Sequence, residues 1–177
     1  MKIFVIGPGG VGKSTSGKIL AEKFGYELID LDKEFLSQIG HIGSYIESFG
    51  YDNYAKKNSE LFYTLLSKSN ENTVIVLSSG FLVHKGLKEL VFKHVKTLKD
   101  NGVSILLLPS RDANETIEIV VKRQLGRGFG LIESNEREKI KERFAKYLKY
   151  GDIQIFSKAK PEIIADLMVD ELVRFNV

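Results

Sequence analysis

Short runs of β-branched and apolar residues alternate along the chain with longer stretches in which apolar positions recur every three or four residues. The short runs, Ile3–Ile6, Glu27–Ile29, Thr73–Leu77, Val103–Leu108 and Ile153–Phe156, read as strands. Val74 to Leu77 and Ile105 to Leu108 are apolar without interruption, as expected of central strands covered by helices on both faces. The longer stretches predict helices over 13–24, 31–39, 43–68, 84–100 with a break near Gly86, 112–125, 136–150 and 161–174. Pro161 suits the first turn of the last helix, and Gly40, Gly43 and Gly50 punctuate the region around the third. Strand alternating with helix predicts a three-layer α/β/α architecture on a parallel sheet. No internal repeat or linker divides the chain, so residues 1–177 are expected to form one domain. Gly126, Gly128 and Gly130 lie between two helical patterns and mark a flexible loop, with Ser134 a candidate N-cap for the next helix.

Composition narrows the possibilities. With 43% hydrophobic and 28% charged residues, the chain of 177 residues can bury a sizeable core and is not of the disordered or low-complexity type. The formal net charge of +3 is small and spread along the sequence, which argues against nucleic-acid binding. There is no cysteine, so disulfides, thiolate metal sites and thiol nucleophiles are excluded. No apolar run approaches the roughly 20 residues of a membrane span, and the first residues are strand-like, so no membrane association and a cytoplasmic location are expected.

One segment decides the chemistry. Gly7-Pro8-Gly9-Gly10-Val11-Gly12-Lys13-Ser14 satisfies the phosphate-loop pattern in full, follows a strand and opens a helix. Its glycines let backbone N–H groups wrap phosphate oxygens, and the helix amino terminus adds partial positive charge. Lys13 can reach the β and γ phosphates and the Ser14 hydroxyl can ligate magnesium, so ATP and Mg2+ are the expected donor and cofactor.

Two absences sharpen the class. No Asn-Lys-x-Asp segment exists to read guanine, and the third strand runs into Ser78-Ser79-Gly80 without the acidic residue that holds magnesium in many ATPases. The nearest carboxylates are Asp30 and Asp32, two apart at the end of the second strand. On an extended segment they point the same way, towards the carboxyl ends of the strands. One can hold magnesium through water, while the other orients and deprotonates an attacking hydroxyl. Asp32 is also a candidate cap of the following helix.

At this point the chain resembles the shikimate kinase family, thinly but over nearly its whole length. Residues 7–15, ending Lys13-Ser14-Thr15, look like the family's phosphate loop; Asp30 and Asp32 look like its Asp-x-Asp pair; Arg143 and Tyr147 look like its late Arg-x-x-x-Tyr. The resemblance implies strand order 2-3-1-4-5, an acceptor-binding helical segment around 31–68 and a lid around 124–136. It also implies magnesium support from Asp30, contact of Asp32 with the acceptor hydroxyl, and pairing of Arg143 with an acceptor carboxylate. Arg123 and Arg127 flank the glycine-rich segment as the family's lid arginines do, one near adenine and one near the transferring phosphates.

Three departures fall on the acceptor side. The family's Phe-Arg-x-x-Glu aligns with Tyr54-Ala55-Lys56-Lys57-Asn58, leaving Lys56 or Lys57 as substitutes for the carboxylate-gripping Arg and Glu60 as a displaced Glu. Its Gly-Gly-Gly appears as Ser78-Ser79-Gly80, with Gly80 retained for close approach to the acceptor and Ser78 a candidate to hold a magnesium-bound water. The lid reads Arg127-Gly128-Phe129-Gly130-Leu131 and is short.

His41, His84 and His94 show neither metal-ligand spacing nor an acidic partner and are read as structural. Phe49, Tyr51, Tyr54, Phe62 and Tyr63 are read as pocket lining, and the run Lys139 to Lys149 as a solvated helix face. The expectation is a monomeric kinase of a small hydroxylated metabolite, with Lys13, Asp32 and Arg127 catalytic. A kinase with a different acceptor and a nucleotide-binding regulatory module are the rival readings.

Overall fold

A computed structural model describes residues 1–128 and 130–176; Phe129, part of the expected lid, lies outside the described residues. Five strands, β1 (Lys2–Ile6), β2 (Glu27–Asp30), β3 (Thr73–Val76), β4 (Gly102–Leu108) and β5 (Ile153–Phe156), form one parallel sheet in the order β2-β3-β1-β4-β5. Eight helices among the described residues cover it: α1 (Lys13–Phe24), α2 (Leu31–Gln38), α3 (Ile42–Phe49), α4 (Tyr51–Lys68), α5 (Lys88–Asn101), α6 (Ala113–Leu125), α7 (Glu133–Tyr147) and α8 (Pro161–Arg174).

The two-residue period of the strands divides the core into two layers. Ile3, Val5, Val74, Val76, Ile105 and Leu107 face one side, where Leu20 of α1, Val120 of α6 and Met168 of α8 cover them. Phe4, Ile6, Ile75, Leu106 and Leu108 face the other, against Phe35 of α2, Phe62 of α4, Leu98 of α5 and Phe144 of α7. With both faces buried, β1, β3 and β4 read as continuous apolar runs, and β1 sits at the centre with its phosphate loop at the carboxyl edge.

Three helix expectations are corrected. The stretch 43–68 is two helices, because Gly50 adopts φ 82°, ψ 160°, which no α-helix accommodates; His41 caps the first of them through its Nδ1 and the Ser44 N–H. No helix occupies 84–87: the Gly86 N–H donates to His84 Nδ1 at 3.2 Å, a local bond that competes with a helical turn, and α5 begins at Lys88. Helix α7 begins at Glu133, so Ser134 lies in its first turn instead of capping it; Glu133 and Glu136 favour that start through the helix dipole.

Candidate active site

The phosphate loop runs from the end of β1 to the start of α1. Gly12 is the N-cap of α1 with φ 94°, a left-handed conformation that suits glycine, and it makes no side-chain cap bond. The amino-terminal N–H groups and the helix dipole therefore remain for an anion. The loop is tied to the end of α6: a Cβ on Gly9 would stand 2.4 Å from Gln124 Nε2, and Arg123 Nη1 donates to the Gly10 carbonyl at 3.4 Å. Arg127 Nη1 donates to Gln124 Oε1 at 2.9 Å. Gln124, which carries no motif, thus joins loop and lid arginines and was not anticipated.

Lys13 is buried, with its Nζ donating to the Pro8 carbonyl at 2.9 Å. Burial pushes its ammonium down to about 8; the nearby charges of Asp32 and Asp30 oppose that shift, and Arg127 adds to it. Lys13, Asp30, Asp32 and Arg127 therefore share one electrostatic neighbourhood, as expected of a site that handles phosphate charge.

The two carboxylates come together by a different geometry from the extended pair expected. Helix α2 starts at Leu31, so Asp30 ends β2 while Asp32 lies in the first helical turn. Asp30, not Asp32, caps the helix, its Oδ1 accepting the Lys33 N–H at 3.4 Å. Asp32 Oδ1 instead accepts the Ser78 hydroxyl at 2.5 Å, and Asn58 Nδ2 donates to the same Ser78 Oγ at 3.1 Å. Ser78 is thus engaged by Asp32 and Asn58 instead of being left for a magnesium-bound water.

Oxygen donors suited to magnesium stand beside the loop. Asp30 Oδ2 and Ser16 Oγ are buried without a partner, and Ser14 lies exposed in the first turn of α1, two residues after Gly12. No group of three or more His, Asp or Glu among the described residues could hold a metal alone. This pattern fits magnesium, which keeps several waters and binds through one or two protein oxygens plus substrate phosphates.

On the acceptor side, Arg143 of α7 donates through Nη2 to Tyr51 Oη at 3.1 Å and lies over the Tyr51 ring. Gly80 sits under both: a Cβ there would meet Tyr51 Oη at 2.0 Å and Arg143 Nη1 at 3.7 Å, so only glycine fits without a shift. Tyr147 donates its hydroxyl to the Ser79 carbonyl, tying α7 to the turn after β3. Burial raises the phenols of Tyr147 and Tyr54 above the usual tyrosine range, with the Asp32 charge adding to the effect at Tyr54. Both stay neutral donors.

Ala55 lines a narrow recess with Tyr51, Tyr54, Asn58, Ser78 and Gly80. Lys57 pairs with Glu60 at 3.1 Å, and none of Lys56, Lys57 and Glu60 borders this recess, so none stands in it in place of the implied Arg and Glu. Of the five aromatic residues read as lining, Tyr51 and Tyr54 border the recess, whereas Phe62 is core, Phe49 is exposed and Tyr63 is half-buried with its hydroxyl bonded to that of Thr97.

A larger cavity of about 400 Å³ opens beyond Tyr51, bordered by Asp52, His84, Lys85, Arg143 and Lys146. His84 does have an acidic neighbour, with Nε2 3.4 Å from Asp52 Oδ1, and its ring stacks on Tyr51. Burial lowers its basicity, opposed by the Asp52 charge. His94 is structural, bonded to Ser59 and to the Phe81 carbonyl.

The fold and site have counterparts among known proteins. A family model described as shikimate kinase matches residues 9–173. The pentafunctional AROM polypeptide of Kluyveromyces lactis is 31% identical over 117 residues, 65% of this chain, and threonine synthase-like 1 of Macaca fascicularis is 26% identical over 98% of it. The chain spans only 7% and 22% of the lengths of these two relatives. Among solved structures, shikimate kinase from Acinetobacter baumannii in complex with shikimate superposes with TM-score 0.81 at 20% identity, covering 99% of this chain and 94% of that one. No helix among the described residues is long and apolar enough to cross a membrane. With the family model matched from the phosphate loop into α8, the chain belongs to the shikimate kinase family.

Proposed function

We propose that this chain transfers the γ-phosphoryl group of ATP to a hydroxyl of a small metabolite, shikimate being the acceptor that family membership favours. The observation that carries the reading is the convergence of buried Lys13 with Asp30, Asp32 and Arg127 at the mouth of a complete phosphate loop. The loop amides from Gly7 to Gly12 and the start of α1 through Ser14 and Thr15 cradle the phosphates, with Val11 packed into the core beneath. Lys13 and Arg127 neutralise charge on the moving phosphoryl group, and Arg123 lies beside the nucleotide. Ser14 directly and Asp30 through water are the residues that would hold magnesium, which supplies further neutralisation of the phosphate oxygens when bound.

Asp32 orients the acceptor hydroxyl and takes its proton as the oxygen bonds to the γ-phosphorus and ADP departs. Arg143 binds the acceptor's carboxylate beside Gly80, and closure of the lid at 124–136 excludes water. Arg143, at the edge of the larger cavity, offers one guanidinium, but Ala55 stands in the recess where the resemblance implies a second. Shikimate is accordingly expected to bind with a high KM. Residues 1–177 form one domain, and the chain acts as a monomer in the cytoplasm.

The test is ADP release from magnesium-ATP with and without shikimate. Saturable stimulation, abolished in Asp32→Asn, is the expected result. Nucleotide binding without stimulation by shikimate or by other small hydroxylated acids would overturn the reading.

A further inference from the structure

We propose that Ser78 and Asn58 are positioning residues that hold the Asp32 carboxylate through a directed chain of hydrogen bonds; this rests on Asp32 taking the acceptor's proton. The direction of each bond follows from chemistry. An ionised carboxylate only accepts, so the Ser78 hydroxyl must donate to Asp32 Oδ1. A hydroxyl has one proton, so towards Asn58 the Ser78 oxygen can only accept, and Asn58 must present its amide NH2. Asn58 of α4 therefore steers the single Ser78 proton onto Asp32.

The three groups come from separate elements that meet over the core on this side of the sheet. Asp32 stands in the first turn of α2, Asn58 in the middle of α4, and Ser78 just beyond β3, 46 and 20 residues from its two partners. Asn58 and Ser78 are 2% and 6% exposed, so bulk water cannot readily substitute for either. Asp32 itself is exposed, which leaves the carboxylate open to an acceptor while one oxygen is fixed. A carboxylate free to turn about its side-chain torsions spends much of its time misdirected, and a misplacement of about 1 Å costs on the order of 10²-fold in rate.

The experiment compares kcat and both KM values for Ser78→Ala, Ser78→Thr, Asn58→Asp and Asp32→Asn, with thermal melts and ATP binding to verify folding. Ser78→Ala is expected to lower kcat between about 10-fold and about 100-fold, leaving the KM for ATP and for the acceptor within about threefold. Ser78→Thr, which keeps the hydroxyl, should restore most of the rate. Asn58→Asp should match Ser78→Ala, because a carboxylate at 58 draws the Ser78 proton away from Asp32. Where Asn58→Asp fails to fold, the Ser78 pair alone decides.

A Ser78→Ala enzyme with unchanged kcat, alongside an inactive Asp32→Asn, would overturn the positioning role and leave the base reading standing. Equal losses in Ser78→Ala and Ser78→Thr with a raised acceptor KM would overturn it in favour of pocket shape. An active Asp32→Asn would overturn the base reading and the positioning role together.

Discussion

The two ends of the site are built on opposite principles. At the nucleotide end, one contiguous segment from Gly7 to Thr15 supplies the glycines, the helix start, the lysine and the hydroxyl, and the chemistry rests on backbone amides held by β1 and α1. At the acceptor end, side chains from α2, α4, the turn after β3 and α7 meet in space, with Tyr51 and Arg143 92 residues apart. A backbone cradle tolerates little change in its residues, since its glycines are fixed by conformation and close approach. A pocket of side chains can be rewired pair by pair; by the resemblance, Ala55, Asn58 and Ser78 fall at positions of an Arg, a Glu and a Gly.

The sharpest way to break that contrast is at Lys13. Lys13→Met should lower kcat by about 10³-fold, near 4 kcal/mol of transition-state stabilisation, while the acceptor KM stays nearly unchanged. Steady-state kinetics with both substrates varied checks this. A loss confined to acceptor KM would mean that the two ends are not separable in the way their construction implies.

The same difference governs what could be read before the coordinates. The phosphate loop, α1 and all five strands are local patterns, and Val74 to Leu77 and Ile105 to Leu108 announced a doubly covered sheet through composition alone; strand order came only with the family resemblance. The helix predicted over 31–39 does start at Leu31, which puts Asp32 in its first turn; reading Asp30 and Asp32 as one extended segment overlooked that start. Gln124, the bond between Tyr51 and Arg143 and the pairing of His84 with Asp52 escaped notice because each arises from a partner on another element. The break at Gly50 was marked by the residue type, yet helical periodicity on both sides concealed it.

Acid should distinguish the two layers beneath the ends. His94 supports the acceptor-side core: its Nδ1–H donates to the Phe81 carbonyl, so Nε2 accepts the Ser59 hydroxyl at 2.7 Å, and the ring stacks on Phe81. Burial pushes this imidazole down to about 4, against an ordinary value of 6.5. Below pH 6.5 the unfolded chain binds a proton that the native state resists, so stability present above that pH is lost progressively towards pH 4, by about 3 kcal/mol. Urea midpoints between pH 7 and pH 4 measure the loss. In His94→Leu that part of the slope should vanish, at the cost of lower stability at neutral pH from an unpaired Ser59 hydroxyl. An unchanged slope in the variant would assign the acid sensitivity elsewhere.

The smaller effects lie at the acceptor end and sharpen the contrast most. Arg143→Ala removes a charged donor beside Gly80 and should raise the acceptor KM between about 10-fold and about 100-fold, with the KM for ATP unmoved. Tyr51→Phe deletes one hydrogen bond to that guanidinium while keeping the ring stacked on His84, and should raise the same constant by only about threefold to about tenfold. The two effects should not add: in the double variant the Tyr51 change should have almost no further consequence, because its hydroxyl acts by fixing Arg143 over Gly80. Additive losses would instead make Tyr51 an independent contact to the acceptor, and the pocket would then hold its ligand at two separate points.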